Sequence, residues 1–236
     1  MSRAGYVGLK HALSAVALRV VESPADVPTA EALAAYARLG GGRPVPVADI
    51  ARALRTTPDD VRRRLMETGL FDAAAGRDHQ ALAAAYVPHA AYFARQAVRM
   101  VDAVRTLGEP APPGVPDVVR RGVALFNVGL FYECHEYLEG AWRAARGRDR
   151  AFYHGLIQAA AACYHCEKGN RHGTRILAGK AAEKLRAFAP AYHGVGVAAL
   201  LAGLEVLRAG AGAGAARLPH GRGDLPVITL AGDAGA

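Results

Sequence analysis

The chain has 236 residues, 52% hydrophobic by the broad count and 7% aromatic. That is long enough for one large or two small domains with a sizeable core. Much of the apolar share is Ala, which suits close helix–helix contact, and Val and Ile are scattered rather than run together, so strands are poorly supported. The formal charge is +8. It is carried almost wholly by Arg, since Lys10, Lys168, Lys180 and Lys184 are the only lysines. Nucleic acid and acidic ligands are admissible partners, and so is a plain solvated surface.

Three cysteines, Cys134, Cys163 and Cys166, do not make a secreted disulfide framework and suit a reducing cytoplasm. No apolar run reaches the roughly 18–20 residues of a membrane span. "ALSAVAL" (Ala12 to Leu18) is followed at once by Arg19 and reads as a helix face rather than a signal peptide. A cytoplasmic, all-α protein is expected.

In chain order, residues 1–107 form a helical domain, broken near "ESPADVP" and "GGGRPVP". Within it, 47–71 ("VADIARALRTTPDDVRRRLMETGLF") has helix-turn-helix punctuation. Ile50, Ala51 and Leu54 would be buried in the first helix. Thr57 is the expected N-cap of the second, with Pro58 at its first position and Asp59 and Asp60 in its first turn. Val61 and Leu65 face inward. Arg62, Arg63 and Arg64 lie where a recognition helix would contact DNA. The segment resembles the helix-turn-helix of winged-helix regulators, with Arg55 where Gly is common in the turn and no obvious β-wing after it. A small three-helix subdomain that binds nothing has the same pattern.

Residues 108–116 ("GEPAPPGVP") are a Pro-rich linker that no helix crosses. Residues 117–209 read as a bundle of about four helices, and 210–236 as a loose tail. In that tail "PVITL" is the one strand-like run, free to lie along the bundle.

The chemistry concentrates in "FYECHEYLEGAW" (Phe131 to Trp142). On a helix, Phe131, His135, Glu139 and Trp142 share one stripe, with Glu136 beside it. Glu133 is expected to face solvent and Cys134 another helix. An imidazole beside a carboxylate is the usual start of a zinc, manganese or iron site. The partner helix is "DRAFYHGLIQAAAACYHCEKGN" (Asp149 to Asn170), with Asp149 as its expected cap. His154, Gln158 and His165 fall on one stripe. Packed antiparallel, His165 or Gln158 would approach His135 and Glu139. Cys163 and Cys166 have C-x-x-C spacing without a second such pair, and read as small buried thiols.

"LFNVGLFYECHEYLEGAW" and "FYHGLIQAAAACYHCEKGNRHGTRILAGKAAEKL" together resemble the bacterial and archaeal family catalogued as Domain of Unknown Function 309. The resemblance covers roughly Asp117 to Phe188. Its H-x-x-x-E-x-x-W/Y signature falls on His135, Glu139 and Trp142, and its further pieces on Asn127, Gly129, Gln158, Gly169 and Asn170. The resemblance implies an all-α bundle and a metal-binding role for the His and Glu.

Three readings stand side by side. In the first, a metal-dependent hydrolase holds a divalent metal through His135, Glu139 and His165. Glu136 serves as base, and Trp142, Gln158, His154, Asn127 and Asn170 surround the site. In the second, a regulator, acting as a homodimer, reads DNA through Arg62 to Arg64 and senses a metal or small ligand in the bundle. In the third, a non-catalytic interaction module uses the His–Glu pair to fix helix register.

Overall fold

The computed structural model describes residues 3–72, 76, 78–212 and 222–230. Among them are ten α-helices and one two-stranded sheet, so the fold is all-α. The chain divides into two compact units between Thr106 and Leu107, at the edge of the Pro-rich stretch. No helix among the described residues is long and apolar enough to cross a membrane.

The first unit holds α1 (Arg3–Glu22), α2 (Val27–Gly40), β1 (Val45–Pro46), α3 (Val47–Leu54), α4 (Pro58–Glu67), β2 (His79–Gln80) and most of α5 (Ala90–Gly108). Tyr36 of α2 is its centre. It is fully buried and meets Phe71 and Phe93 edge-on, at centroid distances of 4.8 and 5.8 Å. Its hydroxyl donates to the Arg43 carbonyl at 3.0 Å and accepts from the Leu82 amide at 3.1 Å. A buried phenol needs such partners, because an unpaired one costs about as much as a lost hydrogen bond.

The helix pair α3–α4 forms as the sequence predicts. Thr57 caps α4 by accepting from the Asp60 amide at 3.2 Å, with Pro58 in the first turn. Ile50, Ala51, Val61 and Leu65 are buried, but Leu54 is only half-buried. Arg55 ends α3 in the left-handed region at φ 55°, the conformation for which Gly is the usual choice.

The region after α4 differs from the expectation. Phe71 bridges Leu82, the Asp72 amide donates to Ala81, and the Ala83 amide donates to Leu70. β2 pairs antiparallel with β1, Val45 opposite Gln80. A short hairpin therefore succeeds the helix pair, and its second arm also lies against β1. Each stretch has only two or three residues, several of them Ala, too few to show a period-two pattern in the sequence.

The second unit contains α6 (Asp117–Asn127), α7 (Phe131–Ala144), α8 (Gly147–Glu167), α9 (Arg171–Leu185) and α10 (Val197–Gly210). These are five helices rather than about four, because "DVVRRGVALFN" makes its own helix before Gly129 turns the chain at φ 84°. Two glycines let helices meet closely. A Cβ on Gly155 would lie 2.8 Å from Leu185 of α9, and one on Gly122 would lie 2.8 Å from Leu138 of α7.

The segment after α10 is not loose throughout. Asn127 donates to the Ile228 carbonyl at 2.8 Å and accepts from its amide at 2.9 Å. Val195 bridges Leu230, the Gly196 amide donates to Thr229, and Ile228 is buried. The "PVITL" run is thus sewn onto the bundle. The parts of the expected tail at 213–221 and 231–236 lie outside the described residues.

Candidate ligand site between α7 and α8

Only Ala145 and Arg146 separate α7 from α8, so the two helices fold back on each other. The ring contacts give the register. Trp142 faces His154 near the connection, at 5.5 Å, and Tyr132 faces Tyr164 far from it, at 5.9 Å. The two contacts are ten residues apart on each helix, with α7 numbers falling as α8 numbers rise, which is antiparallel packing. By that register His135 stands opposite the small Ala161.

A pocket of about 190 Å³ opens beside this point. His135, Glu139 and Trp142 line it from α7, and His154, Gln158 and Ala161 from α8. The sequence stripes therefore do meet, and Gln158 shares a pocket with His135. His135 Nε2 lies 3.8 Å from a Glu139 oxygen. His135 Nδ1 lies 3.3 Å from Glu136 Oε1, within ion-pair range but without hydrogen-bond geometry, so that nitrogen is buried and makes no hydrogen bond. Gln158 Oε1 is likewise buried without a hydrogen bond.

Charge surrounds the pocket unevenly. Arg143 pairs with the second oxygen of Glu139. Arg150 stacks on the Trp142 ring at 4.1 Å and donates to the Trp142 carbonyl at 2.9 Å, which fixes the indole as a wall. Burial, and then the charges of Lys184 and Arg150, push the His154 pKa below the usual histidine range. His154 is therefore neutral at pH 7.

His165 is the expected metal ligand that does not join His135 and Glu139 in this pocket. It lies one turn of α8 beyond Ala161, in an adjoining pocket. The Asn170 side chain accepts from the Gly173 amide at 2.9 Å and so caps α9. That fixes the Asn170 amide, whose nitrogen sits 2.9 Å from His165 Nδ1 and makes that ring nitrogen an acceptor. Asn170 and Asn127 are thus structural, one capping α9 and the other pinning the C-terminal segment. Among the described residues no three His, Cys, Asp or Glu side chains gather as a metal site would need. His135 and Glu139 are two donors, fewer than the three or four protein ligands that hold zinc.

Other expectations resolve differently. Glu133 is fully buried rather than facing solvent, because α6 as well as α8 packs on α7. Asp149 does not cap α8, which begins two residues earlier at Gly147. Its carboxylate accepts from the Tyr192 hydroxyl at 2.7 Å and pairs with His193 Nε2 at 2.9 Å. Cys134 does face another helix, donating to the Gly122 carbonyl of α6 at 3.3 Å. Burial raises the thiol pKa of Cys163 and lifts that of Cys166 to about 11, so both stay protonated and are poor metal ligands at neutral pH.

In the first unit, Arg62, Arg63 and Arg64 are already engaged. Arg62 donates to the Gly76 carbonyl at 3.1 Å. Arg63 pairs with Asp60 at 2.6 Å and Glu67 at 3.3 Å, and Arg64 with Asp60 at 2.8 Å. Sequence reasoning missed Tyr132, Tyr164 and Ala161 as site residues.

No curated protein and no solved structure matches the chain. Residues 119–177, which run from α6 to α9 and include the whole α7–α8 pair, match the sequence model of the family described as Domain of unknown function (DUF309).

Proposed function

We propose that the second unit binds a small polar ligand in the pocket formed by His135, Glu139 and Gln158, with Trp142 as its apolar wall. One observation carries this reading. Gln158 Oε1 and His135 Nδ1 are buried and make no hydrogen bond, and both residues line the same pocket. Buried polar atoms nearly always find a partner, and convergent polar groups in a small concavity are what a ligand site offers. The unpartnered carbonyl asks for a hydrogen-bond donor. The nearby Glu136 and Glu139 favour that donor being an amine.

The chain's single Trp is Trp142, so its fluorescence reports on this pocket alone. Titration with ethylamine is expected to change it saturably, and Gln158→Leu to abolish the change. The same response in the variant would refute the reading. Metal analysis provides a second arm. One bound equivalent in the wild type, lost in both His135→Ala and Glu139→Ala, would replace the polar-ligand site with a divalent-metal site and reopen the hydrolase with Glu136 as base.

A second reading concerns the first unit. The hairpin behind the α3–α4 pair favours a DNA-binding module. The Arg63 ion pairs on α4 are exposed and weak enough to be exchanged for phosphates, whereas the Arg64–Asp60 pair is part-buried. A salt-dependent electrophoretic shift, lost when Arg62, Arg63 and Arg64 are all changed to Ala, is required; no shift at low salt ends this reading.

A further inference from the structure

The pocket at Gln158 does not end at His135. On the other side of the His135–Ala161 pair lies a second pocket of about 160 Å³, lined by Phe131, Tyr132, His135, Ala161, Tyr164 and His165. His135 and Ala161 belong to both pockets. Ala161 projects only a methyl group, so the two spaces adjoin across it.

The second pocket has the size and walls for one aromatic ring. A dry cavity of roughly 150 Å³ accommodates benzene. Tyr132 and Tyr164 are inclined to each other at 46°, an arrangement that presents ring faces and edges to a third ring. Phe131 is held edge-on by Phe126 at 5.2 Å. The His165 ring is held by the Asn170 cap, and a Cβ on Gly173 would come within 2.6 Å of it. These walls are pre-formed, which lowers the ordering cost of binding.

The spacing fixes how ring and head are joined. The midpoint between Ala161 and His165 is about five residues along α8 from Gln158, roughly 7 Å at the helical rise. A two-carbon link from ring to nitrogen, followed by a hydrogen bond of about 2.9 Å, spans that distance. The charges set the head's sign. Glu136 and Glu139 flank His135, where the two pockets meet; Arg143 takes one oxygen of Glu139 and leaves the other beside His135. Arg150 and Lys184 lie toward Trp142 and His154, beyond the amine.

We infer that the site takes an arylalkylamine, its ring packed against Tyr132 and Tyr164 and its nitrogen donating to Gln158 Oε1. This rests on the reading of Gln158 and His135 as a ligand site. The test compares 2-phenylethylamine, ethylamine and 3-phenylpropionate by Trp142 fluorescence on the full chain. Burial of the ring makes 2-phenylethylamine bind at least about tenfold more tightly than ethylamine, with 3-phenylpropionate weaker. Tyr164→Ala removes a ring wall and lies outside the Gln158 pocket. It is expected to erase the tenfold advantage while ethylamine still binds, with helical circular dichroism unchanged. Ethylamine binding with no gain for the phenyl compound, or a gain that survives this variant, overturns this inference alone. Tighter binding of the carboxylate also overturns it. No response to either amine sinks the polar-ligand reading with it.

Discussion

Gln158→Leu separates a ligand site from a structural one, because the two roles predict opposite changes in stability. Gln158 Oε1 is buried without a hydrogen bond, and a buried acceptor left without a partner costs about 1–3 kcal/mol. Leu has nearly the same helix propensity and a similar volume, and it faces Trp142, Ile157 and Leu177 in the same pocket. The residue is only partly buried, so the lower half of that range applies. The variant is expected to gain about 1–1.5 kcal/mol. For a unit of this size that raises Tm by roughly 3–6 °C. The measurement is thermal unfolding followed by circular dichroism, with urea unfolding as a check on the free energy. A ligand-free protein that loses 1 kcal/mol or more on this change would refute the reasoning, since it would mean that the carbonyl is satisfied within the fold.

The pH dependence of stability is expected to carry a His154 component. Its folded-state pKa lies below 6.5, so the unfolded chain binds the proton more readily, and stability falls as pH drops through the unfolded value near 6.5. Tm measured from pH 7 down to pH 5 should fall less in His154→Gln than in the wild type; equal slopes would contradict this. Asn127→Ala removes both hydrogen bonds to Ile228 and leaves a buried residue's amide and carbonyl unmatched, at a cost of about 2–3 kcal/mol. Hydrogen exchange at Ile228 should accelerate, and unchanged protection would show that the segment is held elsewhere. Gly155→Ala should destabilise despite the better helix propensity of Ala, because the added methyl meets Leu185 at 2.8 Å and overpacking of 1–3 kcal/mol exceeds the roughly 1 kcal/mol gained. An increase in Tm would show that Leu185 yields freely.

Local chemistry was legible from residue order. Thr57 and Pro58 start α4 because a side-chain acceptor and a missing N–H suit the first turn of any helix. The stripe of His135, Glu139 and Trp142 follows from 3.6 residues per turn, and its meeting with His154 and Gln158 follows from the short connection to α8. Reading Asp149 as a cap failed because the helix starts two residues earlier and the carboxylate has better donors in Tyr192 and His193. Glu133 was misplaced because the periodicity of one helix shows which residues share a face, but not how many faces other helices cover.

The sequence by itself determined the helical class and which polar side chains share one face of α7. These depend on propensity, capping and periodicity over a few residues. Only the tertiary structure decided that Gln158 lines one pocket with His135 while His165 turns to Asn170, that Ala161 also lines a second pocket, and that the run around Ile228 closes onto Asn127. Those outcomes depend on helix register and on contacts between residues as many as 101 positions apart. Close packing sets such contacts, and no local pattern encodes them.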